Sequence, residues 1–185
     1  PAQIMLDGFK IPTANYHNLA NGLHWGPDGW LYGRAGASAP GEIGKPGTSD
    51  VERLPLRGGI WRYHPERKIV EVLTAGPMNP WGTDWNEHGE LFSCNTVTGH
   101  LWHIIPGAHY VVTHTVDANP YVYQPIDMHA DHWHFDVGLG WSKSRDGKAN
   151  SFGGGHAHCG LMCYEGGTWP KEYHGQLFMG NIHGR

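Results

Sequence analysis

The chain has 185 residues, with 16% charged residues and a formal net charge of −4. That length can bury the core of one ordinary domain, and the weakly acidic balance argues against a nucleic-acid partner, which calls for a basic face. No apolar run approaches the roughly 18–20 residues that span a bilayer, so no membrane segment is expected. Glycine is abundant at 28 residues, against a usual share of about 7%. There are also 9 tryptophans and 15 histidines. Glycine and tryptophan among short apolar runs predict an all-β protein rich in turns, and the histidines offer metal ligation, acid–base chemistry or an ordinary polar surface.

The opening "PAQIMLDGFK" has no initiator methionine and predicts a piece of a longer chain. In chain order, the first clear element is "GLHWGPDGWLY" (22–32). A short strand runs into Pro27-Asp28-Gly29 and returns, because Asp-Gly supplies the positive φ of a tight hairpin turn. Trp25 and Leu31 are then expected to face one core. "GTDWNEHGELF" (82–92) repeats the pattern 60 residues later, with Gly22 on Gly82, Trp25 on Trp85, Leu31 on Leu91 and Tyr32 on Phe92. A third copy opens at "CGLMCY" (159–164), closes at "HGQLF" (174–178) and holds eight extra residues between them.

Further strands follow the first two hairpins: "GGIWRYHPE" (58–66) resembles "GHLWHIIPG" (99–107), and "KIVEVLTAG" (68–76) reads as an outer strand. Four antiparallel strands per repeat make the blade of a β-propeller. The whole chain, 1–185, therefore reads as a single fragment of a partial β-propeller. It would hold about three four-stranded blades of a six- or seven-bladed ring, with long inserts at about 34–57 and 108–158. A self-contained β-sandwich is the alternative.

The second insert holds Asp131, His132, His134, His156 and His158. Residues i and i+2 of an extended strand share a side. The pairs His132/His134 and His156/His158 can each aim two imidazoles at one transition metal, with Asp131 as an oxygen ligand or an orienting partner. Ordinary polar histidines in loops are the plain alternative. Glycines 153–155, just ahead of His156, fit either a tight bend or close approach of a ligand. Arg34 ends a hairpin strand and could clamp a carboxylate, as could Arg53 and Arg57; solvated loop arginines are the alternative. His17 flanks the same hairpin, and Asn79-Pro80 marks the crossover to the next repeat. The cysteines Cys94, Cys159 and Cys163 are odd in number and read as small buried hydrophobes rather than a disulfide framework.

Taken together, "NGLHWGPDGWLYGRAG", "GGIWRYHP", "NPWGTDW", "ADHWHFD" and "GGGHAHCGLMCYEGGTWPKEYHGQLFMGNIHG" resemble the propeller domain of planctomycete-type membrane-bound dehydrogenases. Those proteins often carry a cytochrome c-like haem domain. More distantly, the hairpin and the "NP-G" crossover are similar to quinoprotein glucose and sorbosone dehydrogenases, six-bladed propellers that use pyrroloquinoline quinone with calcium. The resemblance implies oxidation of a sugar or polyol outside the cytoplasm, in the periplasm or an equivalent space. Electrons would pass to a cytochrome c-like domain or partner, and no haem motif lies in this chain. It implies a catalytic histidine, for which His17 and His156 are the positions to test. Asn79 matches the asparagine of that family's Arg-Asn-Pro crossover, while Met78 stands where the arginine would be. Arg34, Asn79 and His158 are the candidate cofactor contacts. Two readings of other classes stand beside this one: a non-catalytic glycan- or protein-binding propeller, its tryptophans stacking on sugar rings, and a metal-binding propeller built on the H-x-H pairs.

Overall fold

The computed structural model describes residues 2–11, 13–14, 17–76, 79–96, 100–111, 121–129 and 157–182. Within them the fold is all-β, an incomplete propeller-like array of small antiparallel sheets. The only helical pieces among the described residues are single 3-10 turns, such as Asp50–Glu52 and Lys171–Tyr173. No helix among them is long and apolar enough to cross a membrane. The chain divides into two compact units, Pro1–Asn79 with Pro106–Ile126, and Pro80–Ile105 with Asp127–Arg185.

The first unit holds a complete blade. Strands β1 (Asn21–Trp25), β2 (Leu31–Ala35), β5 (Gly59–His64) and β6 (Ile69–Val72) lie side by side in that order. The β1–β2 turn forms as the Asp-Gly signal demands: Gly29 sits at φ +80°, and Asp28 Oδ1 accepts the Trp30 N–H at 3.2 Å. Between β2 and β5 the insert folds into its own hairpin, β3 (Gly41–Ile43) with β4 (Leu54–Leu56). It is structural rather than open: Ile43 and Leu56 are buried in one cluster with Ala35, Trp61 and Tyr63. Arg62 on β5 clasps the outer face. It donates to Glu71 at 2.8 Å and lies 4.2 Å above the Trp30 ring. Burial opposes its charge, but hydrogen bonds to Tyr32 and Glu71 hold its pKa above the usual arginine value. The Tyr32 hydroxyl is pushed up by burial, with Asp28 adding to the effect.

The second unit repeats the plan with fewer strands. β7 (Pro80–Trp85), β8 (Leu91–Asn95) and β9 (Leu101–Ile104) form a three-stranded sheet, and β10 (His158–Cys163) pairs with β11 (Leu177–Asn181). The pairs His24–Tyr32, Asp84–Phe92 and Met162–Phe178 are equivalent in register, so the three hairpins align as the sequence repeat requires. The four-strand expectation holds for the first sheet. After β9 the chain returns to the first unit, where Gly107 N–H donates to Leu73 C=O at 2.8 Å and Tyr110 N–H to Ala75 C=O at 3.2 Å.

β10 packs across the β7–β8 sheet. A Cβ on Gly82 would lie 2.4 Å from the Leu161 nitrogen and 2.6 Å from Cys94 Sγ, so only glycine admits this approach. Leu161 then closes a cluster with Cys94 and Leu101. The three thiols are free, with Cys94 and Cys163 buried, as small hydrophobes should be. In the first unit the same strand position is open. Trp25 is the register partner of Leu31, yet it is 58% exposed, contrary to the expected shared core, because β1 is an edge strand over which no sheet of the described residues is laid.

Candidate functional site

Each of β1, β7 and β10 begins at the end of its own sheet where its hairpin partner finishes. In the second unit this end is polar and held by hydrogen bonds. His158 opens β10 opposite Asn181, and the Thr96 hydroxyl donates to the His158 carbonyl at 2.7 Å. Asn95, the last residue of β8, is fully buried and donates its N–H to the His100 carbonyl at 3.1 Å. These ties bring two imidazoles together. The His100 and His158 rings lie 3.8 Å apart at 49°, and the residues are only 2% and 5% exposed. Both Nδ1 atoms and the His100 Nε2 are shielded from solvent. Imidazole is the side chain that takes up and returns a proton near neutrality. A close pair held by backbone ties can present that function in a fixed orientation.

In the first unit the equivalent end is built from amides and one guanidinium. Asn18 is buried, and its Oδ1 accepts the Ser38 N–H at 2.9 Å. Arg34 lies opposite Asn21, and its guanidinium fills the space beside Gly22, where a Cβ would fall 1.5 Å from Nη2. Asn79, the residue before β7, is buried at 3% exposure. His17 is exposed. Arg53 and Arg57 serve the β3–β4 hairpin instead of a site. Arg53 pairs with Asp7 at 2.6 Å, and Arg57 donates to the Gly41 carbonyl at 2.8 Å and pairs with Glu42.

That arrangement can be set against the quinone. A tricarboxylate needs several exposed cations and amides converging on it. The described residues of this end supply one guanidinium, packed against Gly22, and the amides of Asn18 and Asn21, with Asn18 already holding the Ser38 N–H, while Arg53 and Arg57 are engaged elsewhere. They do not form a cradle for such a group.

At the opposite end of the second unit the third hairpin carries its extra residues. The Cys163 N–H donates to Asp84 Oδ2 at 2.8 Å, and its thiol donates to Glu165 Oε1 at 2.9 Å. Burial, reinforced by Glu165, pushes that thiol up to about 12, so Cys163 is a poor nucleophile at neutral pH. Beyond it, Tyr164 and Trp169 stack at 4.7 Å and 24°, while Phe178 meets Trp169 edge-on at 5.0 Å. The Tyr164 hydroxyl accepts the Trp169 backbone N–H at 2.7 Å, which ties the backbone beside the stacked rings while leaving the residue 45% exposed.

Of the sequence-derived candidates, His158 is placed in the buried imidazole pair, Arg34 in the first unit's blade end, Asn79 buried just ahead of β7, and His17 on the first unit's surface. Asp131, His132, His134 and His156 lie outside the described residues. Among the described residues no three His, Cys, Asp or Glu side chains converge as metal ligands. Sequence reasoning missed His100, which sits at the head of "HLWHI" and reads there as the approach to a strand. It also missed the Asp84–Cys163–Glu165 contact, which joins positions 79 residues apart.

The family model described as Domain of unknown function (DUF7133) matches residues 2–185, and the chain belongs to that family. No curated protein and no solved structure gives a significant match.

Proposed function

We propose that this DUF7133 domain is the propeller portion of an extracytoplasmic dehydrogenase acting on sugars or polyols, with the His100–His158 end of its second unit handling the proton of the substrate hydroxyl. The observation that carries the reading is the imidazole pair itself, two rings 3.8 Å apart at the blade end that the "GGGHAHCG" stretch enters. The motif resemblance supplies the substrate class and the cytochrome acceptor. In this reading an imidazole of the pair takes the hydroxyl proton, and the hydride leaving the carbon passes to the two-electron acceptor supplied in the assay, the dye or the added quinone. The test is dye-linked turnover across a panel of sugars and polyols, with and without added pyrroloquinoline quinone and calcium. Turnover should fall by roughly 10²–10⁴-fold in His158→Ala or His100→Ala. A full panel without dye reduction would remove the reading.

One observation favours a second reading, a glycan-binding module without chemistry. Trp169 is fixed by Tyr164 and Phe178 and stays half exposed, which suits stacking on a sugar ring. Sugar binding that is lost in Trp169→Ala, with no turnover on any substrate, would favour it.

A further inference from the structure

The β3–β4 insert forms one wall of a cleft in the first unit, and the start of β6 forms the other. Its volume is about 250 Å³. The apolar lining runs from Ile43, which is fully buried, through Leu54 and Val70 to Ile69, which is 44% exposed. Lys45, Thr48 and Lys68 line it too, and both lysines are exposed.

Both walls are fixed by hydrogen bonds. Gly44 and Asp7 exchange two backbone bonds, at 2.9 and 3.2 Å. Arg53 pairs with Asp7 at 2.6 Å and donates to the Thr48 carbonyl at 3.2 Å. The Ser49 hydroxyl donates to Glu52 at 2.6 Å, so the carboxylate of the lining already has a partner. On the other wall the Lys68 N–H donates to the His64 carbonyl at 2.8 Å and closes the β5–β6 turn.

The two lysines differ from these groups. Among the described residues neither Lys45 nor Lys68 pairs with a carboxylate. Lys68 also sits at φ +55°, and every other described residue with a positive φ is a glycine. Glycine adopts that conformation without steric cost, whereas a lysine there is strained. Strain of this kind persists where a particular side chain is needed.

We infer that the cleft binds a small organic carboxylate with an apolar body, a short-chain aliphatic acid being the simplest case. The four aliphatic side chains bury the body. Lys45 and Lys68 hold the carboxylate through charge-assisted hydrogen bonds, and the Thr48 hydroxyl is a further donor. Two lysines against Glu52 leave the lining one positive charge in excess, which suits a monoanion. The volume lies just under the roughly 300–1,000 Å³ of drug-sized sites, so the ligand is small. The site belongs to the first unit and does not depend on the dehydrogenase reading.

Calorimetric titration of hexanoate into the wild type, Lys68→Gly and Lys45→Gln at neutral pH tests this, with hexanol, acetate and inorganic phosphate as controls. Hexanoate should bind the wild type saturably. Hexanol lacks the charge and acetate the apolar body, so each should bind about tenfold more weakly or worse. Lys68→Gly should weaken hexanoate by about tenfold or more while its thermal midpoint stays level or rises, because glycine relieves the left-handed backbone. Lys45→Gln should weaken it by a similar factor. No saturable hexanoate binding to folded wild type overturns the inference. So does hexanol that binds as tightly as hexanoate, or hexanoate affinity unchanged in Lys68→Gly. Acetate or phosphate binding as tightly as hexanoate would make the cleft a general anion site and overturn it too.

Discussion

The hairpins β1–β2 and β10–β11 share a register, with His24 opposite Tyr32 and Met162 opposite Phe178. Both have a glycine at φ +64° before the apolar stretch, Gly22 and Gly160. Their strands nevertheless have opposite fates: Leu161 is buried against Gly82 and Cys94, while Leu23 is in solvent. Local sequence therefore sets strand, turn and register, which need only neighbours in the chain. Burial of a blade's first strand depends on a second sheet with a glycine at the point of contact. In the second unit Gly82 is that glycine.

The comparison breaks most sharply at Gly82. Gly82→Val puts carbon where Leu161 N and Cys94 Sγ already lie, and backbone cannot step aside as a flexible side chain can. A loss of about 3 kcal/mol or more is expected, through separation of β10 from β7. Gly180→Ala, on the open counterpart, should stay within about 1 kcal/mol. Denaturant unfolding of the two variants measures the contrast, and equal losses would mean that β10 does not rest on Gly82.

A smaller effect tests the chemistry at the covered strand. The Cys163 thiol is neutral in the fold, with its pKa raised from 9.0 to about 12 by burial and Glu165. In the unfolded chain it ionises near its ordinary value, so the unfolded state binds fewer protons between the two values. The stability tied to the neutral thiol is therefore complete below about pH 9 and declines as pH rises toward 12. At pH 8, alkylation should label Cys159, which is half-buried, before Cys163. Labelling of both at one rate would show that the Asp84–Cys163–Glu165 contact does not hold in solution.

Much of this architecture was legible because its signals are local. Pro27-Asp28-Gly29 and the glycine–aromatic pattern at a 60-residue offset announced the hairpins and their alignment. The 34–57 stretch reads as a long insert outside the blade. Its Ile43 and Leu56 are instead core, which short apolar residues among glycines and prolines do not reveal. The return of residues 106–110 to pair with Leu73 and Ala75 was invisible, since it rests on two backbone hydrogen bonds that carry no side-chain signature. For the site, His158 was named from its H-x-H spacing, but its observed neighbour is His100, 58 positions earlier. Strand pairing brings those two rings together, and periodicity within one segment cannot report it.

Native-state amide exchange at the two equivalent strands tests the central claim, that an overlying sheet and not the repeat's own sequence decides the fate of its first strand. The account predicts that Leu161 and Cys163, the latter bonded to Asp84 at 2.8 Å, exchange slowly. Leu23 and Trp25 should exchange quickly. Rapid exchange at Leu161 and Cys163, matching that at Leu23 and Trp25, would contradict it.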